Sequence, residues 1–232
     1  MQLLIQYLKI FYEIFFRSKI LVVKKSYGFE FEDIEINKFF KNTKKGFYVD
    51  IGAFNPIRGS NTYLLYRKGW SGINIDADEN SIKMFKILRK RDYNFNYAIS
   101  STKKKSINLF YEKNSSGVKT IQKKFRDLTL KNFKVKKVKV ATFTQLIKKT
   151  KFNKKKIDFL NIDCEGTDFD VLKSVNIEIY RPKIICIEVN TLLDKRLKES
   201  TIYKYLLKNN YKLKKSFINS HLFLYKGKLK SN

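Results

Sequence analysis

Residues 46–78 read GFYVDIGAFNPIRGSNTYLLYRKGWSGINIDAD. Two short apolar runs in this stretch, FYVDI and GINID, each carry an acid at or near the end, Asp50 and Asp76. A loop of mostly small residues and a helix-like segment lie between the two runs. Strand, loop and helix in this order are typical of a parallel sheet covered by helices, in which ligands bind beyond the carboxyl ends of the strands. The stretch therefore predicts two carboxylates at the ligand-binding edge of a sheet.

The alternation of apolar runs and helix-like segments continues through the chain. After FYVDI and GINID, further buried parallel strands are predicted at Asn94–Ile99, Ile157–Asp163 and Lys183–Asn190. Two closing strands, YKLKKSFI and HLFLYKG, are separated only by Asn219 and Ser220, and so short a turn makes them antiparallel to each other. The predicted fold class is α/β, with a doubly wound, mostly parallel seven-stranded sheet and a C-terminal antiparallel hairpin.

Helices are predicted between these strands, among them Phe31–Phe40 and TYLLYRK, which Ser60 or Asn61 is expected to cap. A further helix is expected to begin at Ser81. The segment at about 100–139 has no clean periodicity and is interpreted as an irregular insertion. No linker rich in Pro, Gly or Ser divides the chain, so we predict one domain over residues 46–232 and an N-terminal amphipathic helical extension over residues 1–45.

The formal net charge of +29 invites a nucleic-acid-binding interpretation. However, the chain has 42 Lys and only 8 Arg, together with 19 Asn and 4 Ala, which is the pattern of an AT-rich genome. Surfaces that read phosphates usually also use the bidentate fork of Arg. Codon bias is therefore the preferred explanation of the charge, and a nucleic-acid partner is not expected. Two cysteines, Cys164 and Cys186, form neither a disulfide framework nor a metal-ligand spacing and favour a cytoplasmic location.

The N-terminal segment MQLLIQYLKIFYEIFFRSK has one narrow polar stripe on an otherwise apolar helix. Lys9 and Glu13 interrupt the segment well short of the roughly 20 apolar residues that span a bilayer. It also lacks the small-residue cleavage site of a signal peptide. A helix that packs on the domain or in a homodimer is the preferred interpretation, and peripheral contact with the inner face of the membrane is the alternative.

The missing phosphate-binding motifs restrict the cofactor. Neither G-x-G-x-x-G nor G-x-x-x-x-G-K-[ST] occurs in the chain, and Phe54 stands where a second glycine would admit a pyrophosphate. A carboxylate at the end of the second strand, Asp76, is placed to accept both hydroxyls of a ribose, and the loop Gly52–Ser60 is placed for the polar tail of a nucleoside. A cofactor with a ribose and no phosphate fits these features, which favours S-adenosyl-L-methionine.

Several blocks together resemble the FkbM-type methyltransferases, which depend on S-adenosylmethionine: YVDIGAFNP, GWSGINIDAD, NYAIS, IDFLNIDCEGTDFDVLKS and PKIICIEVN. The resemblance covers about residues 46–190 and implies the Rossmann-like class I methyltransferase fold. That family includes O-methyltransferases of polyketides and of bacterial surface sugars. The resemblance therefore implies methylation of a hydroxyl on a sugar or glycoconjugate acceptor.

The resemblance also implies roles for individual residues. Asp50 and Gly52 match the first acid and glycine of the cofactor loop, Asp76 matches the ribose acid, and Asp163 and Glu165 match the acids of a D-x-E-G block. The chain departs from the family at Phe54-Asn55-Pro56, where the family more often has Asn followed shortly by Gly. The full set of cofactor-binding candidates is Asp50, Gly52, Ala53, Asn55, Ser60, Asn61, Asp76, Ala98 and Asp163. Each acid also has a purely structural interpretation. Asp50 would cap a turn, and Asp76 would cap the helix that follows it. Asp168 and Asp170 would be acids in the first turn of a helix, and Glu188 would be a carboxylate at the end of a strand.

Methyl transfer to a hydroxyl needs a group that takes its proton. Asp163, Glu165 and His221, the only histidine, are the catalytic candidates. The topology predicts that the last strand begins at the edge where the parallel strands end, which would bring His221 near the two acids. The rivals are direct action by Asp163 or Glu165, and a divalent cation held by the acids. No metal site is predicted from the ligand spacing.

Two other functions compete with glycan O-methylation. A methyltransferase of RNA or DNA would explain the basic charge, but the motif [D/N]-P-P-[Y/F] is absent after the fourth strand, where NIDCEG stands. A catalytically inactive binding module of the same fold would not need the acids that end the strands. A small-molecule or glycan hydroxyl acceptor is therefore the expected partner.

Overall fold

The structure, a computed structural model, describes residues 2–101, 104–112, 118–190 and 196–227. The strands in these ranges are β1 (Phe47–Ile51), β2 (Ser71–Asp76), β3 (Tyr93–Asn96), β4 (Ala98–Ile99), β5 (Ser106–Glu112), β6 (Lys119–Thr120), β7 (Phe133–Ala141), β8 (Phe159–Ile162), β9 (Ile184–Glu188), β10 (Tyr211–Ser216) and β11 (Ser220–Tyr225). The helices are α1 (Gln2–Tyr12), α2 (Glu32–Phe39), α3 (Tyr63–Arg67), α4 (Glu79–Leu88), α5 (Lys123–Thr129), α6 (Phe143–Ile147), α7 (Asp168–Ser174), α8 (Ile177–Tyr180) and α9 (Thr201–Lys208).

The main sheet has seven strands in the order β3-β2-β1-β8-β9-β11-β10. Neighbouring strands are parallel from β3 to β9, whereas β11 runs antiparallel to both β9 and β10. The order reverses at β1, so the chain winds outward from the centre of the sheet in both directions. This architecture confirms the predicted fold class, including the antiparallel pair at the C-terminal end.

The central strands form because both of their faces are buried. Every residue of β1, β8 and β9 is buried, and parallel strands covered on both sides take such continuous apolar runs. A larger core fills one side of the sheet beneath α6, α7, α8 and α9. A smaller core lies on the other side beneath α2 and α3, around the fully buried Trp70. These two layers hold the carboxyl ends of the strands in register.

A second sheet, in the order β4-β7-β5-β6, corrects the interpretation of residues 100–139 as irregular. The long pairing of β5 with β7 is antiparallel, and β7 is built from the alternating segment FKVKKVKVA. The predicted strand Asn94–Ile99 is also split: β3 pairs in the main sheet, and β4 turns away after Tyr97 to pair with β7. Residues 102–103 and 113–117 of the segment lie outside the described ranges.

Two predicted helix starts are wrong. The helix expected to begin at Ser81 begins at Glu79, and the side chain of Asp78 caps it by accepting from the backbone N–H of Asn80. The helix α3 follows Thr62, and neither Ser60 nor Asn61 caps it, because both side chains are engaged elsewhere. The short helix α8 was not predicted.

The N-terminal helix α1 packs against α4 of the domain. It continues into one π-helical turn, Glu13–Arg17, and its buried residues Ile10 and Ile14 contact Met84. Gln6 donates to Asn80 over 2.7 Å and accepts from Lys83 over 2.9 Å. Among the described residues, every helix is too short or too polar to cross a bilayer.

Candidate functional site

A cavity of about 350 Å³ opens at the carboxyl edge of the main sheet. The ends of β1, β2 and β8 form its floor, where the order of the strands reverses and where sheets of this type bind ligands. Its volume lies in the range of small-molecule sites. The charged side chains along its wall are the carboxylates Asp50, Asp76, Asp163 and Glu165 and the cations Arg58 and Lys119.

The loop after β1 passes close to the loop after β8. Gly52 has a φ of +76°, and a Cβ placed there would lie 1.7 Å from the carbonyl oxygen of Asp163. Its N–H and that of Ala53 donate to the carbonyl of Ile75 in β2, over 2.9 and 3.2 Å. Only glycine allows this approach, which brings the ends of the three strands together.

Asp76, at the end of β2, organises the turn on the other side of the cavity. Its Oδ2 accepts from the N–H of Phe54 over 2.8 Å and its Oδ1 from the N–H of Asp78 over 2.6 Å. Each carboxylate oxygen keeps a lone pair for a further donor. Burial raises the pKa of Asp76 to about 6, and the charge of Lys119, which pairs with Asp78, opposes that rise. The carboxylate is thus fixed in place and able to accept two more hydrogen bonds.

Phe54 and Glu165 share a sparsely populated backbone conformation at the cavity wall. Their φ values are +53° and +48°, in the left-handed region that side chains with a Cβ seldom adopt. Phe54 occupies the position where the sequence lacks the second glycine of a phosphate loop. Its ring lies 6.2 Å from that of Phe29, and both rings border the cavity. Strained residues of this kind gather at ligand sites, where the surrounding structure holds them.

Asp50 is more deeply embedded than its neighbours. It is buried, with Oδ2 accepting from Thr62 over 2.8 Å and Oδ1 from Asn161 over 2.9 Å. Asn61 extends this network by donating to Asn161 over 3.1 Å. Burial raises the pKa of Asp50, and the hydrogen bonds from Thr62 and Asn161 counter the rise. Asp50 therefore lines the cavity while also tying β1 to β8 and α3.

The loop that carries Asp163 and Glu165 is held from below by Asp168. Its carboxylate accepts from the N–H of Cys164 over 2.7 Å and from that of Gly166 over 3.1 Å. Asp168 is thus more than a first-turn helix acid. From above, Thr120 donates to the carbonyl of Glu165 over 2.8 Å. The second sheet therefore braces the loop.

The acids of this loop hold their protons more tightly than free carboxyls do. Burial, followed by the charge of Asp168, raises the pKa of Glu165 to about 7. Asp163 is exposed at the cavity, where the loss of surrounding water and the charge of Glu165 raise its pKa well above the usual range. A carboxyl with a pKa near 7 exchanges protons readily at neutral pH.

Glu188, at the end of β9, is a buried acid behind the cavity. Its Oε2 finds no hydrogen-bond partner among the described residues. Burial, followed by the nearby charge of Asp163, raises the pKa of Glu188 well above its usual range and so favours the protonated side chain. Unlike Asp163, it does not line the described cavity.

Three predicted cofactor residues lie behind the cavity. The Oδ1 of Asn55 accepts from the N–H groups of Ile57 and Arg58, each over 2.9 Å, and so shapes the loop after β1. Ser60 accepts from the fully buried Arg89 over 2.9 Å, and that guanidinium also donates to the carbonyl of Pro56. Asn61 belongs to the Asp50 network. Their contacts are therefore with the protein, and they position the loop.

The remaining predicted cofactor residues line the cavity: Asp50, Gly52, Ala53, Asp76, Ala98 and Asp163. The structure adds cavity residues that the sequence analysis missed: Leu109 of β5, Lys119 of β6 and Ile121 just after β6. SINLFYEK indicated a strand at Leu109 but not where that strand packs, and no pattern in the sequence pointed to Lys119 or Ile121.

His221 is the second residue of β11, at the predicted edge, but it lies apart from the cavity. It pairs with Ile187, and Ser220 pairs with Glu188. Directly opposed residues share a face of the sheet and successive residues alternate, so His221 and Glu188 point to opposite faces. His221 is buried, its Nδ1 has no partner among the described residues, and burial alone lowers its pKa. The structure brings Asp163 and Glu165 together and leaves His221 outside the described cavity wall.

Comparison with protein families gives one match. The family model described as Methyltransferase FkbM domain matches residues 50–213. No significant match to a curated protein was found. The matched region begins in β1 and ends in β10, so it contains each of the carboxylates described above.

Proposed function

The chain belongs to the FkbM methyltransferase family, and from that premise we propose that it transfers the methyl group of S-adenosylmethionine to a hydroxyl of a sugar or glycoconjugate. We further propose that the acceptor belongs to the synthesis of bacterial surface glycans. Cys164 and Cys186 are free thiols, which supports a cytoplasmic reaction.

The observation that carries the proposal is the acidic lining of the cavity in a protein of net charge +29. Four carboxylates face a space that also holds two cations, one of which, Lys119, is paired with Asp78. The pKa values of Asp76 and Glu165 are raised because burial outweighs the compensation that the protein supplies. A ligand with positive charge and several hydroxyl donors complements them. S-adenosylmethionine has a sulfonium, an ammonium and two ribose hydroxyls.

The residues present fit this cofactor. Asp76 would accept hydrogen bonds from the ribose hydroxyls, and Gly52 would let the methionine end lie against the backbone. The apolar Ile99, Leu109 and Ile121 would cover the adenine. When bound, the cofactor supplies a methyl group on an electron-poor sulfonium. Phe29 and Phe54 border the cavity with apolar rings.

The acceptor hydroxyl is a poor nucleophile until it loses its proton. We assign this proton to Glu165, with Asp163 beside it, because both acids line the cavity and the pKa of Glu165 is about 7. The base receives the proton as the new carbon–oxygen bond forms and returns it to solvent through the cavity mouth. Asp168 holds the loop in place through the N–H groups of Cys164 and Gly166.

The test is to incubate the full chain with S-adenosylmethionine labelled in the methyl group and with separate acceptors: nucleotide sugars, unmethylated glycans and RNA. The proposal predicts label in the sugar, in a form that survives mild base, since an ether does so and a methyl ester does not. Label only in RNA would replace the proposal with a nucleic-acid methyltransferase. Cofactor binding without transfer to any acceptor would favour an inactive binding module. Loss of methyl transfer when divalent cations are chelated would show that a bound cation, and not Glu165, activates the acceptor hydroxyl.

A further inference from the structure

The N-terminal helix turns its polar side toward the protein. Gln6 bonds to Asn80 and Lys83, and Glu13 pairs with Arg58 over 3.1 Å. Of the apolar residues from Leu4 to Phe16, whose side chains the structure describes, only Ile10 and Ile14 are buried. A surface helix ordinarily buries its apolar stripe and exposes its polar face. Here polar contacts fix the orientation and leave most of the apolar surface outward.

An apolar patch results, made of the exposed side chains of α1, its π-helical turn and the segment that follows. The patch consists of Leu4, Leu8, Phe11, Tyr12, Phe15, Phe16, Leu21 and Val23. Leu21 is 84% exposed and Phe16 is 61% exposed. The rings contact one another: Phe11 is tilted against Phe15 with the ring centres 4.5 Å apart, and Tyr12 stacks on Phe16 at 5.6 Å. A contiguous exposed patch of this kind marks an interaction surface.

Lysines surround the patch. Lys19 and Lys25, in the segment that follows the π-helical turn, are exposed and have no ion-pair partner among the described residues. A second copy of the chain would bring these like charges together across a symmetric contact. The headgroups of anionic lipids would neutralise them, while the aromatic and aliphatic side chains enter the boundary between headgroups and acyl chains.

We propose that the apolar patch docks the protein on the surface of an anionic lipid bilayer, with α1 lying in the plane of the interface. The π-helical turn that carries part of the patch pairs through Glu13 with Arg58, which lines the cavity. Docking therefore sets the cavity close to the membrane surface. This docking does not depend on the proposed reaction, because it involves none of the four carboxylates that line the cavity.

The experiment is flotation of the full chain with vesicles of phosphatidylcholine, alone or mixed equally with phosphatidylglycerol. We expect binding to the mixed vesicles and little to the neutral ones. The triple variant Leu8→Ser, Phe11→Ser, Phe16→Ser should bind at least about tenfold more weakly, because it removes most of the inserted apolar area. Lys19→Glu with Lys25→Glu should weaken binding by about fivefold or more for each residue.

The matched control is Ile179→Ser with Ile218→Ser, which removes two exposed aliphatic side chains far from the patch in sequence. It should bind as the wild type does. Unchanged melting temperature and unchanged affinity for S-adenosylhomocysteine show that each variant keeps its fold. Two results would overturn the proposal: equal vesicle binding by the wild type and the triple variant, or a dimer that the triple variant abolishes while the wild type ignores vesicles.

Discussion

The cavity and the outer surface of this protein have opposite charge. The chain has 50 basic and 21 acidic residues, yet the described part of the cavity wall has four acids, Asp50, Asp76, Asp163 and Glu165, and two cations. The exposed lysines of β7 lie along one strand, and composition alone accounts for them. The acids are held by specific backbone and side-chain contacts. The net charge therefore reflects the amino-acid composition of the chain, whereas the acids of the cavity indicate the chemistry of the site.

The largest expected effect comes from Glu165→Gln, which removes the assigned base. We expect turnover to fall by roughly 10²–10⁴-fold, with cofactor affinity nearly unchanged, measured by labelled methyl transfer and calorimetry in parallel. His221→Asn should keep most of the wild-type rate. If His221→Asn abolishes turnover while Glu165→Gln retains it, the base is the histidine, and the acid cavity only binds.

Asp76→Asn should weaken cofactor binding next most strongly. Loss of charge-assisted hydrogen bonds to the ribose costs about 1.5–3 kcal/mol for each bond, or roughly 10- to 150-fold in Kd. Titration calorimetry with S-adenosylmethionine measures the change. Asp170→Asn is the control, because Asp170 is exposed and pairs with Lys173 on the surface. Equal affinity in the two variants would remove Asp76 from the cofactor site.

The raised pKa values of the cavity acids should also make the stability of the protein fall as the pH rises. Glu165 has a folded pKa of about 7 against an ordinary 4.5. The contribution of Glu165 to the free energy of unfolding is fully present below pH 4.5 and is lost as the pH rises through 7. Glu165→Gln should therefore stabilise the cofactor-free protein at pH 8, on the order of 2 kcal/mol after screening in the open cavity, and not at pH 4.5. Urea unfolding at both pH values measures this, with the exposed Glu178→Gln as control. A gain that does not change with pH would contradict the assignment.

The outer surface should show the smallest effect. Replacing Lys134, Lys136 and Lys137 of β7 by Ala should leave turnover on a small acceptor unchanged, because these side chains lie on an exposed strand. Binding of the wild type to DNA or RNA should be weak, insensitive to sequence and steeply reduced by salt. A sequence-selective RNA complex that resists salt would show that the basic surface binds a specific partner, which would contradict this account.

The main sheet was predictable because its signals are local. Apolar runs such as FYVDI and GINID identify buried strands, and the short turn before β11 fixes its antiparallel direction. The edge at which Asp76 and Asp163 meet follows from those directions. The direction of β11 also placed the start of that strand at the edge. It did not reveal that His221 faces away from Glu188, because the facing depends on a one-residue register.

What the sequence did not reveal depends on distant contacts. Ser60 matches an N-cap pattern, but the buried guanidinium of Arg89, 29 positions later, takes its hydroxyl. In the sequence β3 and β4 look like one strand, but in the structure β4 pairs with β7 in the second sheet. Lys119 enters the cavity wall only because that sheet folds over the edge. Local periodicity carries no information about such partners.

The most direct test of the acid cavity is a crystal structure of the full chain with S-adenosylhomocysteine. The account predicts the ribose hydroxyls within hydrogen-bond distance of the Asp76 carboxylate, with the amino-acid end between Gly52 and Asp163 and the sulfur facing Glu165. Binding at any other place, or a ribose that makes no contact with Asp76, would contradict it.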